Sequence, residues 1–366
     1  MNGLTAPGFA ALGHQEDWAS IAAIFRQWRP PGSAEVLLDE IKATVGWIPP
    51  RTVSRFTVAR DAASPRVDGI YVETFITPDE LAQRSTRSTI GKVRDAIRAA
   101  KREGAPIATL GGFTSILLEA AAIIPEEGIA LTTGNSLTAG LIVRGVERAL
   151  ALLGRDLAEE TVLVIGASGD VGSGCARWLA GRCRKLLLAA RNGERLGREA
   201  DGLRHRGDIA ASTDTAALLP QASVVIAAAS TSAPAFSLDQ CAAGTLICDA
   251  GYPKNIAADA ARPGVRVFHG GMGTIAGGVR SRDGVLEQFY NFPVPDAAHG
   301  CILEGAVLAL AGRAESYSAG RGRITPERLD EMLRMAVEQG VAPAPLFDSS
   351  GLWPEEQRPL VEAGHG

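Results

Sequence analysis

The sequence predicts an α/β protein: a doubly wound parallel sheet joined to a second, α+β domain that holds the substrate. Three observations carry this. An apolar, β-branched run at 161–165 ends in Gly166-Ala167-Ser168-Gly169-Asp170-Val171-Gly172 and passes into a helical pattern. Downstream, strand-like and helix-like segments alternate, as a parallel sheet with crossover helices requires. Upstream, residues 1–158 mix helical periodicities with one hairpin-like stretch, which is an α+β pattern.

Taken in order, helical patterns cover 15–28 and 77–103. They flank a hairpin at 51–76, formed by RTVSRFTVAR and VDGIYVETFI. A long helix follows near 136–152. Strands at 161–165, 185–190, 223–229, 245–249 and 265–269 then build the sheet, with helices at 169–182 and 192–204. The last helices, 296–312 and 326–339, return to the first domain. Thr325 caps the second of these and Pro326 takes its first helical position. The expected division is a substrate domain over 1–158 completed by 296–345, a nucleotide-binding domain over 159–295, and a loosely held tail over 346–366.

The strand, glycine turn and helix start at 161–181 form the context that a dinucleotide pyrophosphate needs, the Rossmann arrangement. Gly166 permits the tight turn, Gly169 lets the backbone approach the phosphates, and Gly172 lets the helix pack closely on the sheet. Ser168, Asp170 and Val171 complete the loop, and the helix N-terminus offers unpaired N–H groups to the anion. At the end of the second strand an NAD site would carry an acidic residue for the ribose 2′-hydroxyl. Arg191 stands there instead, with Asn192 beside it and Arg195 near. An arginine fork and an amide donor suit a 2′-phosphate, so the expected cofactor is NADPH. Ala229 and Ser230, at the end of the 223–229 strand, are expected to line the nicotinamide ribose.

At 366 residues the chain has room for two domains with sizeable cores. It is 46% apolar and 21% charged, ordinary for a globular protein. A net charge of −4 and a pI near 5.8 argue against a general nucleic-acid binder. No apolar run reaches the length of a membrane span, because Glu119 breaks the one at 116–124. The N-terminal residues lack the pattern of a signal peptide, so the expected location is the cytoplasm, peripheral membrane association remaining open. Five scattered cysteines, Cys175, Cys183, Cys241, Cys248 and Cys301, fit reduced thiols. With no CxxC pair or HExxH, no metal site is expected.

Several stretches together carry a resemblance: FAALGHQEDWASI (9–21), YVETFITPDELAQR (71–84), LGGFTSI (110–116), TTGNSLTA (132–139), VIGASGDVGS (164–173), LLLAARNGERL (186–196), DAGYPKN (249–255) and GRGRITPERL (320–329). In order and spacing over residues 9–345 the chain resembles the aldehyde-forming long-chain acyl-[acyl-carrier-protein] reductases of cyanobacterial type. The resemblance implies NADPH-dependent reduction of an acyl thioester to the aldehyde through a cysteine acyl-enzyme. It implies Cys301 as the nucleophile, since CILE (301–304) falls where the family has its catalytic cysteine and a following glutamate. It implies acyl carrier protein or coenzyme A as the acyl donor, and an aldehyde-consuming enzyme as a partner. The chain departs from the family at His299-Gly300, where bulkier apolar residues are usual, over 271–287, and in its longer C-terminal tail.

Thiolate attack on a thioester gives another thioester, an exchange nearly balanced in free energy, and splits one hard reduction into two easier steps. Among the side chains, cysteine alone is both a good nucleophile and a good leaving group for this at neutral pH. If a helix starts at Pro295-Asp296, Cys301 lies in its second turn, where the helix dipole helps little. Lys254, just past a strand at the carboxyl edge of the sheet, is a candidate to polarise the acyl oxygen or stabilise the thiolate. Ser115, after the Gly111-Gly112 turn, is a candidate hydroxyl donor. Glu304 is a positioning or proton-handling candidate, and His299 reads as incidental. Asn135 reads either as an N-cap or as a contact across the cleft.

The segment 84–102 holds Arg84, Arg87, Lys92, Arg94, Arg98, Lys101 and Arg102 against one acid, Asp95. Acyl carrier proteins are acidic, which makes this helix a docking candidate. Two other functions remain open: a shikimate-type NADP-dependent ketone/alcohol dehydrogenase, which needs no cysteine, and a non-catalytic NADPH-binding sensor.

Overall fold

In the computed structural model, residues 6–357 are described except 16, 31, 35–36, 84–85, 116–127, 232, 285, 287–291 and 321. The chain opens with β1 (Phe9–Gly13), α1 (Trp18–Gln27) and α2 (Leu38–Thr44). Asp17 caps α1 by accepting from the Ser20 N–H, and the helix buries Ile21 and Ile24. The expected hairpin is the antiparallel pair β2 (Arg51–Ala59) and β3 (Arg66–Glu73). The helical pattern at 77–103 divides into α3 (Pro78–Gln83) and α4 (Thr86–Arg102), with 84–85 outside the described residues. Then come β4 (Ile107–Leu110), β5 (Ala130–Thr132) and the long α5 (Asn135–Leu152). Strands β2, β3, β1, β4 and β5 lie side by side in that order, and β3, β1, β4 and β5 run parallel.

The second sheet is built from β6 (Thr161–Ile165), α6 (Asp170–Leu179), β7 (Lys185–Ala189), α7 (Gly193–Leu203), β8 (Ile209–Ser212), the single turn α8 (Thr215–Leu218), β9 (Val224–Ala227), β10 (Leu246–Asp249) and β11 (Arg266–His269). All its strands are parallel, in the order β11-β10-β9-β6-β7-β8. This is the doubly wound order of dinucleotide-binding sheets. The β6 run TVLVI is buried throughout, as a central parallel strand covered on both faces must be. β8 is a sixth strand that the sequence pattern did not single out. Ile209-Ala210-Ala211-Ser212 is short, half exposed and at the sheet edge, so it lacks the β-branched run that marks its neighbours.

The stretch after β11 crosses to the first sheet earlier than the division at 295. β12 (Met272–Ile275) starts a small antiparallel sheet, and β13 (Val279–Ser281) pairs with β2 on the edge of the first sheet. β14 (Ala297–His299) pairs with β12. The helix expected at 296–312 therefore begins later, as α9 (Gly300–Leu310), because 297–299 are committed to strand pairing. α9 lies on β1 and β4. α10 (Pro326–Glu338), capped by Thr325, packs on α5 and α6, and β15 (Val341–Pro343) completes the small sheet.

The tail is not loose where it is described. β16 (Phe347–Asp348) and β17 (Gly351–Leu352) form a hairpin. Trp353 is buried: its Nε1 donates to the Val267 carbonyl at 2.7 Å, and Arg266 stacks on its ring. Glu355 and Glu356 pair with Arg266 and Arg148. An indole with a satisfied N–H and a stacked cation anchors a segment whose Pro, Glu and Gly content reads as loose.

Candidate active site

The carboxyl ends of parallel strands from both sheets open on one cavity of about 500 Å³. The first sheet contributes His14 after β1 and Gly111, Gly112 and Ser115 after β4. The second contributes the 165–171 loop after β6, Arg191 after β7, 228–231 after β9 and 250–254 after β10. Ligands of such sheets gather at this edge.

On the nucleotide side, Gly166 has φ +85°, and a Cβ there would stand 2.6 Å from the Ala228 carbonyl oxygen. Gly172 lies against Gly166, whose oxygen would be 2.3 Å from an added Cβ, so helix and turn touch backbone to backbone. Gly169 is the N-cap of α6 and no side chain caps the helix, so the backbone end itself is presented. These features fit a dinucleotide. Ser168, Gly169, Asp170 and Val171 line the cavity with Gly166, while Gly172 supplies the packing. The Asp170 carboxylate is engaged elsewhere: it accepts from Asn135 Nδ2 at 2.9 Å and from the Gly322 N–H at 3.1 Å. It ties the start of α5 and the GRGRI segment to α6. Asn135 is not the cap of α5. Gly134, with φ +71°, takes that position, and Asn135 is the first helical residue.

Arg191, Asn192 and Arg195 line the far end of the cavity, and no acid stands at the end of β7. Asn192 caps α7 by accepting from the Arg195 N–H at 2.9 Å. Ala229 is clamped by Asn255 of the GYPKN segment: its N–H donates to Asn255 Oδ1, and its carbonyl accepts from Nδ2. The Asp249 carboxylate in turn accepts from the N–H groups of Gly251, Asn255 and Ile256. GYPKN is thus a folded loop that holds Ala229 at the cavity wall, beside Ser230.

Cys301 is the second residue of α9, not a second-turn residue, so it sits where the helix dipole is strongest. Its thiol is pushed up to about 11 by burial, with backbone hydrogen bonds from Ile302 and Gly112 acting in the opposite direction. Cys175, Cys183, Cys241 and Cys248 are also raised by burial, but Cys301 alone among the five lines the cavity. Lys254 Nζ donates to the Asp249 carbonyl at 3.2 Å. Its charge reaches His299, whose pKa is lowered to about 3, first by burial and then by Lys254. His299 is no surface residue; it lies between the rings of Tyr252 and Phe292. Ser115 lines the cavity while its hydroxyl donates to the Gly112 carbonyl at 2.9 Å.

Glu304 is fully buried and accepts from the Thr132 and Ser318 hydroxyls and from the Leu137 N–H at 2.9 Å. That makes it a strut between α9 and the TTGN segment. Among the lining residues that the sequence pattern did not single out are His14 and Tyr71. Burial keeps His14 neutral, its pKa lowered to about 4, and its Nε2 accepts from the Phe113 N–H at 3.1 Å. The signal lay in the motifs themselves: polar side chains just after β1 and near the carboxyl end of β3, within GHQ and YVETF.

The profile of the shikimate/quinate 5-dehydrogenase family matches residues 147–269, the nucleotide-binding sheet. The long-chain acyl-[acyl-carrier-protein] reductase of Synechococcus elongatus is 32% identical over 327 residues, 81% of this chain and 89% of that protein. The chain belongs to the long-chain acyl-[acyl-carrier-protein] reductase family. It is an enzyme of oxidoreductase type, with a fold for a nicotinamide cofactor. This reductase-family chain is also 25% identical over 277 residues to the aminotransferase PigE of Serratia sp., spanning 31% of that longer protein. Among solved structures, the ligand-free 5-ketofructose reductase of Gluconobacter sp. strain CHM43 aligns with 90% of this chain and 100% of its own, at 11% identity and a TM-score of 0.37. Among the described residues, no helix is long and apolar enough to cross a membrane.

Proposed function

We propose that this protein reduces a long-chain acyl thioester, borne by acyl carrier protein or coenzyme A, to the aldehyde with NADPH, by way of an acyl group held on Cys301. The observation that carries the proposal is a thiol in the first turn of α9, on the same cavity as the glycine loop of the nucleotide sheet.

Cys301 accepts the acyl group from the donor thioester, which keeps the acyl carbon activated. The helix N-terminus and the Gly112 and Ile302 N–H groups favour the developing thiolate over the thiol that burial holds protonated. We assign Lys254 and Ser115 to the acyl oxygen as charge and hydroxyl. Leu12, Ile165 and Ile302 give the cavity apolar walls that keep water from the acyl-enzyme, whose hydrolysis would yield acid instead of aldehyde.

Bound NADPH supplies the hydride. Gly166, Ser168, Gly169, Asp170, Val171 and Gly172 are assigned to the pyrophosphate turn and its support. Arg191, Asn192 and Arg195 are assigned to the 2′-phosphate, and Ala229 and Ser230 to the nicotinamide ribose.

We assign the carrier protein to α4, in the cytoplasm. Lys92 does not belong to the docking face, because its Nζ donates to the Phe75 carbonyl at 2.6 Å and pairs with Glu80. Arg94, Arg98, Lys101 and Arg102 are the described cations that carry the attraction. Arg84 lies outside the described residues.

Intact mass after incubation with acyl thioester and no cofactor tests the reading. The parent gains one acyl group, and Cys301→Ala gains none and releases no aldehyde when NADPH is added. Aldehyde release by Cys301→Ala at the parent's rate would remove the cysteine acyl-enzyme, and a parent that takes up no acyl group would return the reading to a ketone/alcohol dehydrogenase.

A further inference from the structure

The cavity wall holds a buried polar train that the chemistry above leaves unused: Tyr71, Gln15 and Glu73. Gln15 Nε2 donates to Glu73 Oε2 at 2.8 Å and to the Tyr71 hydroxyl oxygen at 3.3 Å. Glu73 Oε1 accepts from the Phe75 N–H at 2.9 Å. All three residues are buried, and Tyr71 lines the cavity.

The phenol is held over the end of β1. A Cβ built on Gly13 would stand 1.9 Å from the Tyr71 oxygen, so the hydroxyl fills the space that any side chain at 13 would take. The next residue back, Leu12, accepts at its carbonyl from the Gly111 N–H at 3.0 Å. A Cβ on Gly111 would in turn stand 3.5 Å from Cys301 Sγ. Gly13, Leu12 and Gly111 thus form a backbone bridge from the phenol to the nucleophile, and all three line the cavity. Toward Gln15 the phenol oxygen is an acceptor, and its own hydrogen makes it a donor as well.

We propose that Tyr71 is a catalytic residue whose O–H donates to the acyl carbonyl oxygen while Cys301 takes up the acyl group, with Gln15 and Glu73 as positioning residues. This rests on the acyl-transfer reading above. The bond from Sγ to the carbonyl carbon forms as the thiol loses its proton. The π pair moves onto oxygen, where the Tyr71 O–H meets it. When that pair returns, the carbon–sulfur bond to the donor breaks, and the donor thiolate leaves with the proton that Cys301 gave up. Nothing is oxidised or reduced in this step.

The test mixes parent, Tyr71→Phe and Gln15→Met proteins with a long-chain acyl-coenzyme A, without nicotinamide cofactor, and follows intact mass. Tyr71→Phe acylates Cys301 about 100-fold more slowly, the size of a lost oxyanion donor. Gln15→Met falls between it and the parent. Both variants keep the parent's rate of Cys301 alkylation by iodoacetamide, which reports thiol access without an acyl oxygen. Acylation of Tyr71→Phe at the parent's rate overturns the proposal, as does a parallel fall in alkylation, which would make Tyr71 a wall of the pocket. A parent that takes up no acyl group either from acyl-coenzyme A or from the same chain on acyl carrier protein overturns the acyl-transfer reading and this one with it, whereas equal rates in parent and Tyr71→Phe overturn this one alone.

Discussion

Gly134 and Cys301 touch backbone to backbone: a Cβ built on Gly134 would stand 2.1 Å from the Cys301 Cα and 2.8 Å from its carbonyl oxygen. Gly134 also has φ +71°, a conformation that a side chain strains. The TTGN segment therefore seats the helix that carries the nucleophile. Gly134→Ala must move one backbone away from the other, since neither atom in the clash belongs to a flexible side chain. Strain and displacement together cost about 2–3 kcal/mol. The expected outcome is a lower midpoint of urea unfolding together with slower alkylation of Cys301. An unchanged midpoint and alkylation rate would mean that TTGN does not seat the helix.

The nucleotide half was largely legible because it is written in local chemistry. A buried parallel strand such as Thr161–Ile165 is a continuous apolar run, and Gly166 and Gly172 are backbone requirements that no other residue meets. What stayed hidden depends on partners far along the chain. The start of α9 is set by β14 pairing with β12, so Cys301 moved from a second turn to a first. Asn135 read as a cap or as a contact across the cleft, and its amide reaches Asp170, 35 residues on. Tyr71 and His14 lie within quoted motifs, but nothing local to either motif marks them as facing a cavity. They matter because β1 and β3 are parallel neighbours whose ends share one cavity.

Arg191 bears on the choice of cofactor. It follows the strand that in an NAD site would present an acid, and it lines the cavity with Asn192 and Arg195. Removing its fork takes away a charge-assisted partner of the 2′-phosphate, which NADH lacks. Arg191→Ala is expected to raise the KM for NADPH about 10-fold, equivalent to about 1.4 kcal/mol, and to leave that for NADH unchanged. Steady-state kinetics with both cofactors checks this, and an equal effect on the two would remove Arg191 from the phosphate site.

Glu73 links pH to stability. Burial raises its pKa from 4.5 to about 7, against hydrogen bonds from Gln15 and the Phe75 N–H. A folded-state pKa above the unfolded value means that the neutral acid is the better-tolerated form. Its contribution is fully present below pH 4.5 and is lost as pH rises through 7. That rise corresponds to about 3 kcal/mol. Glu73→Gln keeps a neutral amide at every pH and so escapes the loss. The unfolding free energy of the variant, relative to the parent, is expected to climb by about 3 kcal/mol between pH 4.5 and about pH 8. Taking the difference between the two proteins cancels His14 and His299, whose lowered pKa values act in the opposite sense, favouring the fold above their titration and weakening it as pH falls. Urea unfolding at matched pH values makes the measurement. A difference that stays flat across that range would mean that the carboxylate is already charged in the folded protein at low pH, held by the Gln15 and Phe75 donors more tightly than burial opposes.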